Sequence, residues 1–277
     1  MLKNTPFTLP TQQGNLHNNN VREHLTCPVC AAPSGKYCIP IKEFEIYKCS
    51  NCGLEHTYPI PSLLQLKAFY STYTDIRAAS DVVMINARRN LQLLGKFGYE
   101  EGKFLLDFGT GDADFVEIAG KNCFGIDFKS ASKPRVYPNL IDLPIKKYDF
   151  ITLWGVLEHL ANPKETLLEL SSFLKPNGII AITTVDSEGV IPYYYKPVEH
   201  LTYWTKSAFV NLFEKAGLRV IEYKPYKMLQ RSEIYIDRLL SRTPSEYMPA
   251  FDFCITFLPE YIEVPTNEIF VVGQYFN

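Results

Sequence analysis

Two Cys-x-x-Cys pairs, Cys27-Pro-Val-Cys30 and Cys49-Ser-Asn-Cys52, are the first residues in this sequence whose type and spacing specify a chemistry. Pairs about 18 residues apart have the spacing of a zinc ribbon. Each pair sits on a tight turn with both thiolates facing one point, and the intervening hairpin joins the pairs around a tetrahedral ion. Gly53, directly after Cys52, suits the left-handed turn of such a knuckle. Four thiolates close the coordination shell, so the Zn2+ expected here is structural rather than catalytic. Two disulfides are the competing reading. It is disfavoured because the start, MLKNTPFTLPTQQGNLHNNN, lacks the apolar core of an export signal, which also predicts a cytoplasmic protein.

The second segment with chemistry in it is Phe104-Leu-Leu-Asp107-Phe-Gly109-Thr110-Gly111-Asp112-Ala113-Asp114: a buried strand, a glycine turn and the start of a helix. The glycines let a ligand lie against the backbone at the carboxyl end of a sheet. A dinucleotide site presents a helix N-terminus to pyrophosphate and wants a third glycine where this chain has Asp114. Asp107, Asp112 and Asp114 repel phosphate, whereas ammonium and sulfonium groups gain from them in a partly dry cleft. Asp127 falls at the end of the next strand, where a carboxylate can take both hydroxyls of a ribose. Asp142 and Leu143, after a third strand, are placed to contact an adenine edge.

The elements that must position these groups can be read around them. Residues 1–24 are polar and rich in Asn and Gln, as in a mobile tail. The ribbon takes 25–60, and a helical connector or lid takes 61–100, with Ser62 as N-cap and a second helix over Ala78 to Phe97. From 101 to 277, apolar strands alternate with amphipathic helices: Phe104 to Phe108, Cys123 to Asp127, Asn139 to Ile141, Asp149 to Trp154 and Ile179 to Val185. That spacing indicates βαβ units and an α/β domain with a parallel sheet. One helix begins at Asn162-Pro163 and stops at Pro176-Asn177-Gly178, and another spans Lys206 to Ala216 before Gly217. An insertion covers about 226–265. With 46% hydrophobic and 14% aromatic residues the chain can form a core, which excludes disorder as the main state. The net charge of -2 argues against electrostatic coating of nucleic acid or anionic lipid, and no apolar run approaches the roughly 20 residues of a membrane-spanning helix.

The strings LLDFGTGDADF, FGIDF, IDLP, YDFITLWGVLEHL, NPKETLLELSSFLKPNGIIAIT and EHLTYWTKSAFVNLFEKAGLRVIE resemble those of class I S-adenosylmethionine-dependent methyltransferases. The resemblance covers about Gly102 to the end, with Ala113 where a third glycine is frequent. It implies a Rossmann-like, seven-stranded, mostly parallel sheet whose last strand, over Ile269 to Tyr275, is antiparallel. It also implies S-adenosylmethionine as cofactor. Asp107 and the Gly109-Thr110-Gly111 turn would meet its methionine part, Asp127 the ribose, and Asp142 with Leu143 the adenine, with Phe128 also counted as cofactor-binding. Trp154 completes this cofactor set.

Methyl transfer from a sulfonium needs alignment, plus a base where the acceptor carries a proton. Two Glu-His pairs follow strands four and five, Glu158-His159 and Glu199-His200. Imidazole titrates near neutrality, so His200 beside Glu199 is the expected base and His159 the second candidate. Tyr193, Tyr194, Tyr195, Tyr203 and Trp204 offer flat faces for a sugar or aromatic acceptor. The fourth strand lacks the Asn/Asp-Pro-Pro-aromatic run usual in enzymes that methylate nucleobase amines. The string Tyr47-Lys-Cys49-Ser-Asn-Cys52-Gly53-Leu54 with Pro59-Ile-Pro61 is similar to the metal-binding part of methyltransferases of sugar and surface-glycan biosynthesis. The expected function is therefore methylation, O- or C-, of a small hydroxylated acceptor such as a sugar, nucleotide-sugar or glycan precursor. An rRNA methyltransferase and a non-catalytic binding module on the same scaffold are the alternatives.

Overall fold

The computed structural model describes residues 25–37, 40–72, 80–127, 130–189, 195–234, 236 and 257–276. Four strands come first, β1 (Leu25–Thr26), β2 (Pro33–Lys36), β3 (Glu45–Cys49) and β4 (Glu55–Tyr58), paired antiparallel in sequence order. Helix α1 (Leu63–Thr72) opens on a capping box: the Gln65 N–H donates to Ser62 Oγ while the Ser62 N–H donates to Gln65 Oε1. Helix α2 (Ser80–Gly95) follows.

The rest of the chain builds a seven-stranded mixed sheet. Its elements are β5 (Leu105–Phe108), α3 (Asp114–Ala119), β6 (Cys123–Ile126), β7 (Val136–Tyr137), β8 (Tyr148–Trp154), α4 (Pro163–Ser171), β9 (Leu174–Val185), β10 (Thr202–Tyr203), α5 (Lys206–Lys215), β11 (Leu218–Arg231) and β12 (Tyr261–Tyr275). The strand order is β11-β12-β9-β8-β5-β6-β7. All neighbours on the β9-to-β7 side are parallel, and β12 runs antiparallel to both β9 and β11, as expected for the last strand. Strand β10 is not in this sheet. It pairs with β4, so two residues from the second half of the chain extend the cysteine-bearing sheet to five strands.

Three expected elements differ, the first being helix α4, which ends at Ser171, short of the Pro176-Asn177-Gly178 stop expected for it. The third strand is Val136–Tyr137, and residues Leu140–Asp142 form a 3-10 turn. Pro138 has no N–H with which to continue the ladder, and Ile141, 69% exposed, has no core to face. The fifth strand begins at Leu174 rather than Ile179. Pro176-Asn177-Gly178 is an irregularity inside it, with Asn177 at φ +61°, where the pairing to β8 shifts register. The insertion expected at 226–265 is partly ladder, since β11 continues through Arg231 opposite Tyr261; residues 237–256 lie outside the described residues.

The core is continuous across both sheets. Cys27, Val29, Cys49, Cys52 and Leu54 pack in one buried cluster with Trp204, Phe209, Leu212 and Phe213 of the α5 region. Thr205 joins them: its hydroxyl caps α5 by accepting the Ala208 N–H (3.0 Å) and donates to the Cys52 carbonyl (2.6 Å). Among the described residues no helix is long and apolar enough to cross a membrane.

Candidate active site

Strand β5 is buried along its whole length and ends in the glycine turn. Asp107 is 2% exposed and accepts a hydrogen bond from Thr152 Oγ1 (2.7 Å); burial nonetheless raises its pKa to about 6. Gly109 has φ +76°, and a Cβ there would stand 2.6 Å from Val156 Cγ2, so only glycine fits. The N–H groups of Gly109 and Thr110 both donate to the Ile126 carbonyl (2.8 and 3.1 Å), which fixes the turn against β6. Ala113 occupies a left-handed conformation, φ +66°, a setting glycine takes without strain and alanine at a cost of about 1 kcal/mol.

The turn forms one wall of a cleft of about 410 Å³ at the carboxyl edge of the parallel strands. Asp107, Asp112 and Asp114 stand on this wall, and Trp154, Gly155 and Thr183 form the floor. The opposite wall is α2, with Val82, Val83, Asn86, Ala87 and Asn90, together with Tyr226 and Met228 of β11 and Glu268 of β12. Helix α2 is pinned there: Asn86 accepts the Leu229 N–H and donates to the Leu229 carbonyl (both 2.8 Å), and Tyr226 donates to Asn90 Oδ1 (2.7 Å). Trp154 lies flat on Phe270 (6.1 Å, 6°), and its indole N–H is buried with no partner among the described residues. Glu268 sits opposite Val185, at the end of β9. Its carboxyl is raised to about 7, by burial first, then by the Glu158 carboxylate, with Lys196 acting against both.

The residues expected at the ribose and adenine follow from the glycine turn along the next strands. Asp127 accepts the Gly111 N–H (3.0 Å) and so braces the turn. Asp142 is exposed and accepts from Asn139 Nδ2 (3.2 Å), while Leu143 is buried in the core. Phe128 lies outside the described residues.

The two Glu-His pairs come together, but none of their members lines the cleft. Glu158 is buried and accepts from Thr184 Oγ1 (2.7 Å); burial raises its pKa. The His159 Nδ1–H donates to the Glu199 carbonyl (2.7 Å), which leaves Nε2 as the acceptor nitrogen. His200 stacks edge-on against His159 at 5.0 Å, and its carbonyl accepts from Thr57 Oγ1 of β4 (3.0 Å), at the seam between the sheets. Its Nδ1 is buried without a partner among the described residues, and desolvation, helped by His159 and Lys196, lowers its pKa to about 3. An imidazole held that low is neutral at pH 7 and a weak proton acceptor. Tyr203 and Trp204 are fully buried core residues, Tyr195 donates to Glu55 Oε2 (3.0 Å), and Tyr193 and Tyr194 lie outside the described residues.

The four cysteine thiols converge. Cys27 Sγ lies 3.6 Å from Cys52 Sγ, and Cys30 Sγ is 3.4 Å from Cys49 Sγ and 3.6 Å from Cys52 Sγ. Backbone N–H groups point at the first sulfur of each pair: Val29 to Cys27, and Asn51 and Cys52 to Cys49, each at 3.4 Å. Gly53 takes the expected left-handed turn at φ +72°.

Glu268, Tyr226, Asn86, Asn90 and Thr183 were not anticipated. For Glu268 a signal existed. An acidic residue directly before the apolar run Ile269 to Val272 of an antiparallel last strand necessarily sits at the carboxyl edge of the parallel strands.

A family profile described as "Methyltransferase domain" matches residues 85–223, half of the chain. Solved structures similar to it include a SAM-dependent methyltransferase from Archaeoglobus fulgidus, at 19% identity over 74% of this chain and 99% of that one, TM-score 0.49. An S-adenosylmethionine-dependent methyltransferase from Clostridium acetobutylicum matches at 14% identity over 76% and 99%, TM-score 0.45. Phosphoethanolamine N-methyltransferase 2 of Haemonchus contortus, in complex with phosphomonomethylethanolamine and S-adenosylhomocysteine, matches at 13% identity over 80% and 63%, TM-score 0.46. No curated protein sequence matches the chain.

Proposed function

The chain belongs to the methyltransferase-domain family, and from that premise we propose that its cleft takes S-adenosylmethionine and methylates a small hydroxylated acceptor, a sugar or a nucleotide-sugar or glycan precursor. The observation that carries this reading is the gathering of Asp107, Asp112, Asp114 and Glu268 around one cleft beside a left-handed glycine turn. When bound, the sulfonium supplies an activated methyl group. The protein's part is alignment and charge: Gly109 lets the donor approach the backbone, the carboxylates favour its ammonium and sulfonium charges, and the apolar face of Trp154 with α2 excludes water. The cleft is a fit for a cation and a poor one for a polyanion.

The charged residues outside the cleft support a small acceptor over RNA. Arg89 is paired with Glu263, and Arg88 shares a shallow depression with Glu100 and Glu101, so the two arginines do not build a basic face at the sheet mouth. His159, Glu199 and His200 belong in this reading to the acceptor side, where His159 Nδ1–H donates to the Glu199 carbonyl and the two imidazoles meet edge-on.

The cysteine cluster is proposed to hold a structural Zn2+. Sulfur separations of 3.4–3.6 Å compare with about 3.8 Å across a tetrahedron of 2.3 Å Zn–S bonds. The N–H donors aimed at Cys27 and Cys49 stabilise thiolates. Four sulfurs leave no position for water. The reading carries with it a cytoplasmic location, where thiols stay reduced.

Calorimetry with S-adenosylmethionine on the zinc-loaded chain, followed by transfer of a labelled methyl group to a panel of sugar nucleotides and to rRNA, tests the function. Binding with transfer to a sugar hydroxyl or carbon is expected. Transfer to rRNA alone would replace the acceptor class, and absence of cofactor binding would leave a scaffold.

A further inference from the structure

Of the four carboxylates in the cleft, three arrive on the β5–α3 segment and one, Glu268, arrives on β12. Their surroundings differ. Asp107 is committed to Thr152, and Asp112 and Asp114 stand on the half-exposed turn. Glu268 is half-buried beside Tyr226 on the α2 side, and no hydrogen bond or ion pair reaches its carboxylate among the described residues. Its charged and titratable neighbours are the Glu158 carboxylate, the Lys196 ammonium and the Tyr226 hydroxyl. The Tyr226 hydroxyl is engaged by Asn90 and the Lys196 ammonium by Glu199 at 3.4 Å. A carboxylate half withdrawn from water, near a second, buried carboxylate and without a bonded partner among the described residues, is less stable than a fully solvated one. Residues kept in that condition inside a cleft mark a function rather than a fold requirement.

We propose that Glu268 is the proton acceptor of the methyl transfer, taking the acceptor's hydroxyl proton from the β12 side of the cleft. The inference rests on the reading of this cleft as a methyl-transfer site for a hydroxylated acceptor. As the new O–CH3 bond forms and the S–CH3 bond breaks, the hydroxyl proton moves to a Glu268 oxygen and the S–C electron pair remains on the sulfur, which becomes neutral. Glu268 then releases the proton to water at the cleft mouth. Burial and the Glu158 charge place the Glu268 carboxyl about 7, where a general base is both ionised and basic enough to work. His200, held at about 3 and outside the cleft, has neither property.

Glu268→Gln on the full-length, zinc-loaded chain tests the assignment. Three results are expected. S-adenosylhomocysteine still binds in calorimetry, weakened by less than roughly tenfold, because the substitution keeps shape and leaves Asp107, Asp112 and Asp114 to meet the ammonium. A carboxylic-acid C=O infrared band that titrates near pH 7 in the parent is absent from Glu268→Gln. With the acceptor found in the panel, turnover falls by roughly 100-fold or more and the rise of kcat/KM with pH through about 7 disappears, while Glu268→Asp recovers part of both. A parent protein that does not bind S-adenosylhomocysteine refutes the methyl-transfer reading itself. Intact binding with an infrared band that survives in Glu268→Gln, or with turnover and pH profile unchanged, refutes only the role given to Glu268.

Discussion

Thr205 is one of the links between the cysteine cluster and the large domain, and replacing it by valine isolates its share of that coupling. The hydroxyl makes two buried bonds, one from the Ala208 N–H at the start of α5 and one to the Cys52 carbonyl; the residue is 3% exposed. Valine keeps the β-branched shape and the methyl packed near Gly53, so the hydroxyl alone is removed. Loss of the helix cap costs about 1 kcal/mol. A Cys52 carbonyl left without its donor in the core costs about 1–3 kcal/mol. The sum, about 2–4 kcal/mol, corresponds to a Tm lower by roughly 5–15 °C for a chain of this size. Scanning calorimetry measures the shift, and thiol labelling under native conditions should show Cys52 reacting faster. Thr205→Ser keeps both bonds and loses one methyl group, so it should cost no more than about 1 kcal/mol. A Thr205→Val protein within about 0.5 kcal/mol of the parent, or a serine variant as unstable as the valine one, would refute this account of the coupling.

Further outcomes follow from single groups. Gly109→Ala must place a Cβ against Val156 at φ +76°, so S-adenosylmethionine affinity should fall at least tenfold by calorimetry, whereas Gly111→Ala, with open space around it, should lose less. Chelation of the proposed Zn2+, or Cys49→Ser, should remove about one equivalent of zinc by elemental analysis and lower the Tm with it, since the cysteines share a core with α5. His56 is buried and its pKa is depressed to about 4 by desolvation, with Nε2 unpartnered among the described residues. The folded state therefore binds fewer protons than the unfolded state between about pH 4 and 6.5, and stability drops as pH falls through that window, by roughly 3 kcal/mol from this group. Denaturant midpoints for the parent and His56→Gln across pH 4–7 read this directly: the glutamine variant should lose less stability on acidification.

What could be read from the sequence was whatever is encoded over short distances. The Cys27/Cys30 and Cys49/Cys52 spacing specified a thiol cluster because two turns and a hairpin suffice to close it. The strand, glycine turn and helix from Leu105 to Ala119 were legible because periodicity, Gly109 and the acidic residues around it all act within one βα unit. The third strand was misplaced by a few residues because, at a sheet edge, two ladder pairs and a following proline weigh more than local apolarity.

Tertiary structure decided the rest. Strand β10 joins β4 across more than a hundred residues, and no local signal in Thr202–Tyr203 announces a partner that far away. The same contact buries His200 at the seam of two sheets, turning a residue whose type suggested a base into a desolvated neutral imidazole. Glu268 went the other way: passed over in the sequence despite directly preceding the apolar run Ile269 to Val272, it becomes a cleft carboxylate because β12 is inserted antiparallel between β9 and β11. Residue type and spacing determined which chemistry this protein contains. Burial and strand direction, which depend on the whole fold, decided which of its acids and bases line the cleft and which way their pKa values shift.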